Sequence, residues 1–420
     1  MNHADVYRDE LARFVAEMRA SQRRVVVVGA GRGGWYTAKV LAHFQVPVDA
    51  WTDSNPKKHG MLFDIPVMPM AQAVERFPDA CFLPSVLDAA NYPPVAGTLD
   101  AAGARDIRYL MPDILFSYFS DVTRRACGPE ALAKTIARLY PEPGSPAPCR
   151  SPSVSYVITQ KCTLNCQDCG AFVPDNAKPV TYPASRIVDD IAKYCSAFDV
   201  VHHIALQGGE PFMHKEIEEI VEGVSKIPNL LFIDFVTNGT LVPKASVLDA
   251  MQRHGACVIV SDYGPYSSKI AQLAEACAGR QIFVDYYRYQ GNDWGMQTPI
   301  YPRKRSPEKN AEVFTNCIAN TMICCQIMNG KVHRCTFSNF TQELKLIPEL
   351  PGDFVDVGKY QTGCAELTAE IRALANRKSA LSACDFCPAD NRNFVPAGIQ
   401  LPKSKRKQPR PIQPVNDGCS

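Results

Sequence analysis

The chain has 420 residues, of which 46% are hydrophobic and 21% are charged, so it holds enough apolar material for two or three globular domains. Its formal net charge of +2 gives no reason to expect a nucleic acid or an anionic membrane as a partner. No stretch approaches the ~20 apolar residues of a membrane-spanning helix, and the polar start lacks the apolar segment of a signal peptide, so we expect a cytoplasmic protein.

The first predicted elements form a βαβ unit. A helix is predicted over residues 4–20, and the segment RRVVVVGAGRGGWYTAKVLAHF predicts a strand, a glycine turn and a second helix. Gly29, Gly31 and Gly34 satisfy G-x-G-x-x-G in the context that makes this motif credible, and Asp53 ends the next predicted strand. We therefore predict a Rossmann-like α/β domain over residues 1–140.

Three interpretations of this glycine turn stay open. Glycines let a phosphate approach backbone N–H groups at a helix N-terminus, and the Asp53 carboxylate could accept hydrogen bonds from a ribose. The segment DAWTDSNPKKHGMLFDIPVMP resembles the small Rossmann-like modules of polysaccharide-pathway enzymes, which bind nucleotide-sugars. NAD is a second candidate ligand, and a structural or oligomerisation role without a ligand is the third.

A linker rich in Pro, Ser and Gly is predicted over residues 141–152, and strands alternate with helices after it. Repeated βα units imply a parallel sheet with its active site at the carboxyl ends of the strands. The predicted strands are Val154–Thr159, Val201–Leu206, Leu230–Thr237, Cys257–Ser261 and Gln281–Tyr286.

The chain contains 17 cysteines, and an odd number without an export signal argues against a disulfide framework. Four isolated ones are interpreted as small buried hydrophobic residues: Cys81, Cys195, Cys257 and Cys277. Cys162, Cys166 and Cys169 instead form C-x3-C-x2-C directly after the predicted strand Val154–Thr159. Three thiolates leave one iron of a [4Fe–4S] cube open, as a reactive site requires. A zinc ion with a remote fourth ligand is the alternative.

This triplet, on the loop after the first strand of a repeated βα domain, resembles the radical S-adenosylmethionine (SAM) superfamily. Gly208, Gly209 and Glu210 begin a GGEP sequence that resembles the family motif whose backbone and Glu hold the methionine amino group. By the same resemblance, Asn238 and Ser261 approach the ribose and carboxylate of SAM. The sequence departs from the family at Asp168, since an aromatic or apolar residue usually precedes the third cysteine.

The resemblance implies a partial (βα)6 barrel of the TIM type over residues 153–300, with a [4Fe–4S] cluster on the three cysteines and SAM on the open iron. A donor such as flavodoxin or ferredoxin would supply one electron. SAM would then yield a 5′-deoxyadenosyl radical that abstracts hydrogen from an unactivated carbon of the substrate.

A second cysteine set lies in the predicted third region, residues 301–395. It resembles the auxiliary-cluster domain called twitch, a shorter relative of SPASM, and its spacing is similar to that of 2-deoxy-scyllo-inosamine dehydrogenase-type enzymes. The predicted ligands of one auxiliary [4Fe–4S] cluster are Cys317, Cys335, Cys384 and Cys387, with Cys324, Cys325 and Cys364 as alternatives. Zinc on the same thiolates is the other possibility. Residues 396–420 are predicted to be a basic, Pro-rich disordered tail.

These features predict an enzyme of carbohydrate biosynthesis that oxidises or epimerises a sugar, aminocyclitol or nucleotide-sugar. A peptide maturase that installs a cross-link or thioether is the alternative, and a zinc-stabilised nucleotide-binding regulator is a third hypothesis. Candidate catalytic side chains are Tyr263, Arg288 and Arg303, with the histidines His202, His203, His214 and His333 as further candidates, the first two of which we interpret as structural.

Overall fold

The computed structural model describes residues 13–85, 92–110, 149–321, 324–389 and 393–402. The chain divides into two compact units, residues 1–148 with 253–255, and residues 149–252 with 256–420. Most of the predicted linker and residues 403–420 of the predicted tail lie outside the described residues, and the predicted first helix is described from residue 13 to residue 21. None of the described helices is long and apolar enough to cross a membrane.

The first unit contains a six-stranded sheet. Its strands are β1 Val25–Val28, β2 Ala50–Thr52, β3 Gly60–Leu62, β4 Ile65–Met68, β5 Cys81–Pro84 and β6 Asp106–Ile107, in the order β3-β4-β2-β1-β5-β6. Every pair is parallel except β3 with β4. Helices Arg32–His43, Met70–Arg76 and Tyr92–Ala101 connect the strands. The strand order reverses between β1 and β5, which is the arrangement of a doubly wound sheet.

The second unit is built on an eight-stranded sheet. Its strands are β7 Ser153–Thr159, β8 Val201–Gly208, β9 Leu230–Thr237, β10 Cys257–Asp262, β11 Val284–Arg288, β13 Cys324–Met328, β14 Lys331–His333 and β15 Phe354–Asp356. Strands β7 to β11 are parallel neighbours in chain order. Strand β13 pairs with the other edge of β7, also in parallel, and β14 and β15 continue the sheet in antiparallel pairs. A separate antiparallel pair joins β12 Trp294–Gly295 to β16 Phe394–Val395.

The helices of this unit cover the sheet with apolar faces. In helix Ala184–Cys195 the buried residues Ile187, Ile191 and Tyr194 follow the three-to-four-residue spacing of one helix face. The other helices are Ile217–Val224, Ala245–Arg253, Ile270–Ala278, Pro307–Thr315, Ile318–Thr321, Thr336–Glu343 and Ala365–Ala375.

The predicted α/β fold with a parallel sheet of the partial-barrel type is confirmed, but one of its details is corrected. The sixth parallel strand, β13, comes from the region predicted as a separate cluster domain and lies beside β7. The boundary at residue 300 therefore does not interrupt the sheet. The last predicted barrel strand also begins later than expected, at Val284, because Gln281 adopts a positive φ of 54° that a strand does not accommodate.

Candidate functional site

The carboxyl ends of β7 to β10 surround a cavity of about 250 Å³. The carboxyl ends of parallel strands meet at one edge of the sheet, so residues far apart in sequence converge there. Among the lining residues are Cys162, Cys166, Cys169, Gly208, Gly209, Asn238, Ser261, Tyr263, Tyr289 and Trp294. The structure thus brings the predicted triplet, the glycine pair, Asn238 and Ser261 to one place.

Hydrogen-bond donors point at the sulfurs of the cysteine triplet. The backbone N–H of Leu164 and Nδ2 of Asn238 lie 3.4 and 3.5 Å from Cys162 Sγ. Nε2 of Gln400 lies 3.1 Å from Cys166 Sγ. Burial raises the pKa of the Cys162, Cys166 and Cys169 thiols, and the charge of Cys169 raises it further at the first two. A raised pKa means that burial makes the thiolate form unfavourable. A bound metal offsets this, because it takes the place of the protons on the sulfurs.

Three converging thiols with N–H donors aimed at two of them fit a thiolate-bound iron–sulfur cluster. Cys162, Cys166 and Cys169 would hold it. Among the residues that the structure describes, no three His, Cys, Asp or Glu side chains form a group that could hold a metal ion. Ligands of a single ion must crowd around one point, whereas the ligands of a cube bind separate irons at its corners.

The glycine pair permits a close backbone approach between β8 and the cysteine loop, which we define as residues 161–170. A Cβ on Gly208 would lie 1.9 Å from the carbonyl oxygen of Thr159, and one on Gly209 would lie 2.4 Å from that of Lys161. Backbone hydrogen bonds of 2.9 and 2.8 Å join the N–H groups of Gly209 and Glu210 to the same two carbonyls. Glycine at both positions therefore fixes the loop that begins at Lys161.

Glu210 is fully buried and connects the end of β8 to the end of β9. Its carboxylate accepts hydrogen bonds from Thr237 Oγ1 at 2.8 and 2.9 Å and from the backbone N–H of Asn238 at 2.9 Å. Burial raises the pKa of Glu210 to about 7, against the lowering effect of these hydrogen bonds. Glu210 is not among the cavity-lining residues. Its predicted contact with a methionine amino group stays a prediction, and its observed contacts orient Asn238.

An aromatic wall, which we define as Tyr263, Tyr289 and Trp294, forms one side of the cavity. The Tyr263 and Tyr289 rings stack with centroids 5.1 Å apart at 18°, and Trp294 packs edge-on to Tyr263 at 5.4 Å. Of these three residues, Tyr263 alone was predicted from the sequence. The aromatic-rich run YYRYQGNDW begins in β11, the neighbour of β10 in the sheet, and is the signal that could have identified the other two.

Residues 156–261 match the family model of the radical SAM superfamily. This chain contains a radical SAM domain. GTP 3′,8-cyclase of Stenotrophomonas maltophilia strain K279a is 33% identical over 95 residues, which are 22% of this chain and 28% of the relative. Molybdenum cofactor biosynthesis protein 1 of Homo sapiens is 30% identical over 105 residues, 24% of this chain and 16% of the relative. The chain thus spans less than a third of the length of these relatives.

Two solved structures are similar at low identity. BtrN in complex with AdoMet and 2-DOIA is 17% identical, covers 60% of this chain and 95% of its own, and has a TM-score of 0.35. SuiB of Streptococcus suis bound to S-adenosylmethionine is 12% identical, covers 49% of this chain and 62% of its own, and has a TM-score of 0.26. Values this low carry no argument about the activity, so the 2-deoxy-scyllo-inosamine dehydrogenase type and the twitch subgroup stay predictions.

The other catalytic candidates are not among the residues that line the cavity of the radical SAM domain. Arg288 is largely exposed and forms an ion pair of 2.8 Å with Asp262. Arg303 packs over the Tyr301 ring, 4.4 Å from its centroid.

The candidate histidines have structural partners. His202 and His203, at the start of β8, lie within hydrogen-bond distance of Arg150 and Ser153. His214 and His333 are buried, at hydrogen-bond distance from Tyr182 O and Ser338 Oγ, and burial lowers the pKa of His333 to about 3.

The predicted disordered tail is wrong for its first residues. We define the strap as residues 393–402, which run alongside the cysteine loop. Its strand β16 pairs with β12, and the backbone N–H of Gln167 donates to Ile399 O at 2.7 Å. The N–H of Leu401 donates to Asn165 O at 2.9 Å. Backbone hydrogen bonds do not require particular side chains, so the sequence gives no sign of them. The prediction of disorder therefore rested on composition alone.

The second cysteine set is linked through electrostatics. Burial raises the pKa of the Cys335 thiol most, and the charges of Cys387, Cys317 and Cys384 raise it further, so these three thiols lie within electrostatic range of Cys335. Arg305 donates to Cys384 O and Cys387 O at 2.8 and 2.9 Å. Cys324 lies near Cys317, whereas Cys325 is buried beside Tyr194 and Cys364 Sγ accepts a hydrogen bond from Leu367 at the start of a helix.

In the first unit, Asp53 closes the glycine turn. Its carboxylate accepts the backbone N–H of Ala30 and of Asn55, both at 2.8 Å. A Cβ on Gly34 would lie 1.9 Å from Gly29 O, so this glycine lets the helix pack against β1. Lys58 Nζ would lie 3.3 Å from a Cβ on Gly31. The predicted contact of Asp53 with a ribose stays a prediction.

Proposed function

We propose that this protein is a radical SAM enzyme whose site is the cavity at the carboxyl ends of β7 to β10. The observation that carries the proposal is the convergence of Cys162, Cys166 and Cys169 with the Gly208–Gly209 backbone on that cavity. The match of residues 156–261 to the superfamily supports the same assignment.

The residues of the chain would divide the work as follows. A cluster and SAM bound there would supply a 5′-deoxyadenosyl radical for hydrogen abstraction. The three cysteines hold the cluster, and Asn238 and Ser261 offer polar groups to the SAM ribose and carboxylate. The Gly208–Gly209 backbone lies close enough to the cysteine loop to place SAM against it. The aromatic wall limits the access of water to the cavity.

We propose a sugar, aminocyclitol or nucleotide-sugar as the substrate and oxidation or epimerisation as the outcome. The aromatic wall supports a ring-shaped substrate, because flat aromatic faces pack against rings. The neighbouring thiols of Cys317, Cys335, Cys384 and Cys387 support a four-ligand auxiliary cluster with no open iron, which suits electron transfer and hence oxidation. Flavodoxin or ferredoxin is the proposed electron donor, and a nucleotide or nucleotide-sugar is the proposed ligand of the glycine turn in the first unit.

Anaerobic reconstitution followed by iron analysis and EPR tests the proposal. We expect about eight irons per chain, from two [4Fe–4S] clusters, and an EPR signal that changes when SAM is added. Dithionite and SAM should then yield 5′-deoxyadenosine, with hydrogen taken from a sugar-type substrate. Bound zinc without iron–sulfur absorption after reconstitution would overturn the assignment. Turnover of a peptide, with no response to sugars, would replace the substrate class by that of a peptide maturase.

A further inference from the structure

The strap places one side chain on the cysteine triplet. Gln400 forms an isolated antiparallel bridge with Cys166, and its Nε2 lies 3.1 Å from Cys166 Sγ. Both partners belong to the second unit, although they are more than 230 residues apart in sequence. No role for Gln400 was predicted from the sequence.

The orientation of the Gln400 amide is fixed by two backbone groups. Its Oε1 accepts the N–H of Asn165 at 2.8 Å, and its Nε2 donates to Gly398 O at 2.7 Å. A flipped amide would place an NH₂ group against an N–H and an oxygen against a carbonyl oxygen, and would lose both bonds. The group that faces Cys166 is therefore an N–H donor, and a thiolate sulfur can only accept.

The backbone of the strap holds Gln400 in place. Gly398 has a φ of +77°, which favours glycine, and a Cβ there would lie 2.9 Å from Tyr263 Cβ. The strap therefore crosses directly against the aromatic wall. The bonds from Gln167 to Ile399 and from Leu401 to Asn165 fix the backbone on both sides of Gln400. The backbone on both sides of Gln400 is thus hydrogen-bonded to the loop that carries the triplet.

We propose that Gln400 is a positioning residue for the cluster, which orients Cys166 and raises the cluster's reduction potential. Hydrogen bonds to ligand sulfurs set the potentials of iron–sulfur clusters, because they stabilise the more negative, reduced state. The inference rests on the proposed function, since it requires a cluster on Cys166. It adds that the segment after the last cysteine pair takes part in the redox chemistry of the first triplet.

Gln400→Ala and Gln400→Glu test the role of the donor. The Glu variant keeps an acceptor for Asn165 N–H, loses the N–H that faces Cys166 and adds negative charge. An EPR-monitored redox titration should show a lower potential in the Ala variant, by about tenfold in the reduction equilibrium or 59 mV for one electron, and a lower one still in the Glu variant. Gln297→Ala is the matched control, because Gln297 Nε2 donates to Gly295 O near the same strand pair and should keep the wild-type potential.

A second measurement uses the metal-free chain. Peptide mapping after timed alkylation should show Cys166 reacting severalfold more slowly in Gln400→Glu than in wild type, because the lost N–H and the added negative charge disfavour the reactive thiolate, with Cys277, buried in the core, unchanged as an internal reference. Wild-type potentials together with wild-type alkylation in both Gln400 variants would overturn the inference while leaving the cluster assignment intact. A wild-type chain that assembles no cluster would overturn the proposed function instead, so the two failures are distinguishable.

Discussion

The two cysteine sets use the same side chain in different surroundings. Cys162, Cys166 and Cys169 sit on one loop at the carboxyl end of β7 and line a cavity together with backbone glycines and aromatic rings. The four thiols of the second set come from three segments, since Cys384 and Cys387 share one. Burial raises the pKa of the Cys335 thiol well above its usual range, as it also raises the pKa of the thiols in the first set. The first arrangement leaves room for a ligand beside the thiols, whereas the second draws its thiols from segments far apart in the chain.

This difference separates the roles that we propose for the two sets. A loop at the carboxyl ends of parallel strands shares its space with whatever binds there. Thiols drawn from several segments can satisfy every iron of a cube and leave no open position. We therefore expect added SAM to change only the EPR signal of the cluster bound by the first set.

Removing each set in turn has the largest expected effect. Cys162/Cys166/Cys169→Ala should lower the iron content from about eight to about four per chain and abolish 5′-deoxyadenosine formation. Cys335/Cys384/Cys387→Ala should lose a similar amount of iron but keep the EPR change on adding SAM. Cys364→Ala, which removes a helix-capping thiol, is the control and should keep all the iron. An SAM response that disappears only with the second set would reverse the assignment.

The glycine pair gives the next prediction, because only the first set depends on it. Gly208→Ala forces a Cβ to 1.9 Å from Thr159 O, so the strand end must move. We expect a loss of about 2–4 kcal/mol in the free energy of unfolding, in the range of overpacked and strained sites. Gly170→Ala is the control, since a Cβ there meets nothing within 4 Å. Urea titration of both variants measures the difference, and equal stabilities would contradict the close approach.

Glu210 is the buried acceptor that holds the end of β9 beside the cavity. Glu210→Ala leaves the Thr237 hydroxyl and the Asn238 N–H without their buried acceptor, which should cost about 1–3 kcal/mol for each donor that stays unpaired. We also expect weaker SAM binding with unchanged iron in the second set, because Asn238 loses its orientation. The exposed Glu219→Ala serves as the control. Equilibrium dialysis with labelled SAM and urea titration are the measurements, and unchanged SAM affinity would remove this role from Glu210.

Local patterns predicted the elements that carry the first set. Strand β9 matches its predicted bounds, Leu230–Thr237, and β7 begins one residue early, because long apolar and β-branched runs identify buried strands. Strand β13 was not predicted, since its pairing with β7 joins segments about 170 residues apart. The strap was missed for a related reason, as its contacts with the cysteine loop use the backbone and one amide.

The environment of a known motif was equally beyond the sequence. The GGEP residues are readable in the sequence, but the burial of Glu210 depends on Thr237 and Asn238 of another strand. The resemblance predicts that Glu210 contacts SAM, whereas its observed contacts are with the end of β9. A motif thus identifies the residues, and packing decides which of them face the cavity.

The smallest expected effect concerns Asp190, which connects β7 to the β13–β14 turn. Tyr156, in β7, donates to Asp190 at 2.6 Å, and the N–H of Gly330, in the β13–β14 turn, also hydrogen-bonds to it. Burial raises the pKa of Asp190, with Tyr156 and Arg186 acting in the opposite direction. A carboxyl with a raised folded-state pKa favours folding while protonated, so its contribution is present in acid and lost as the pH rises through that value.

The free energy of unfolding of the metal-free wild type should therefore fall relative to Asp190→Asn as the pH rises from 4 to 8. Urea titrations of both chains across this range measure the difference, with Glu219→Gln, at an exposed carboxyl on another helix, as the control. A difference that grows in favour of the wild type would show that Tyr156 and Arg186 outweigh burial, and the connection between β7 and the β13–β14 turn would then be a charged one.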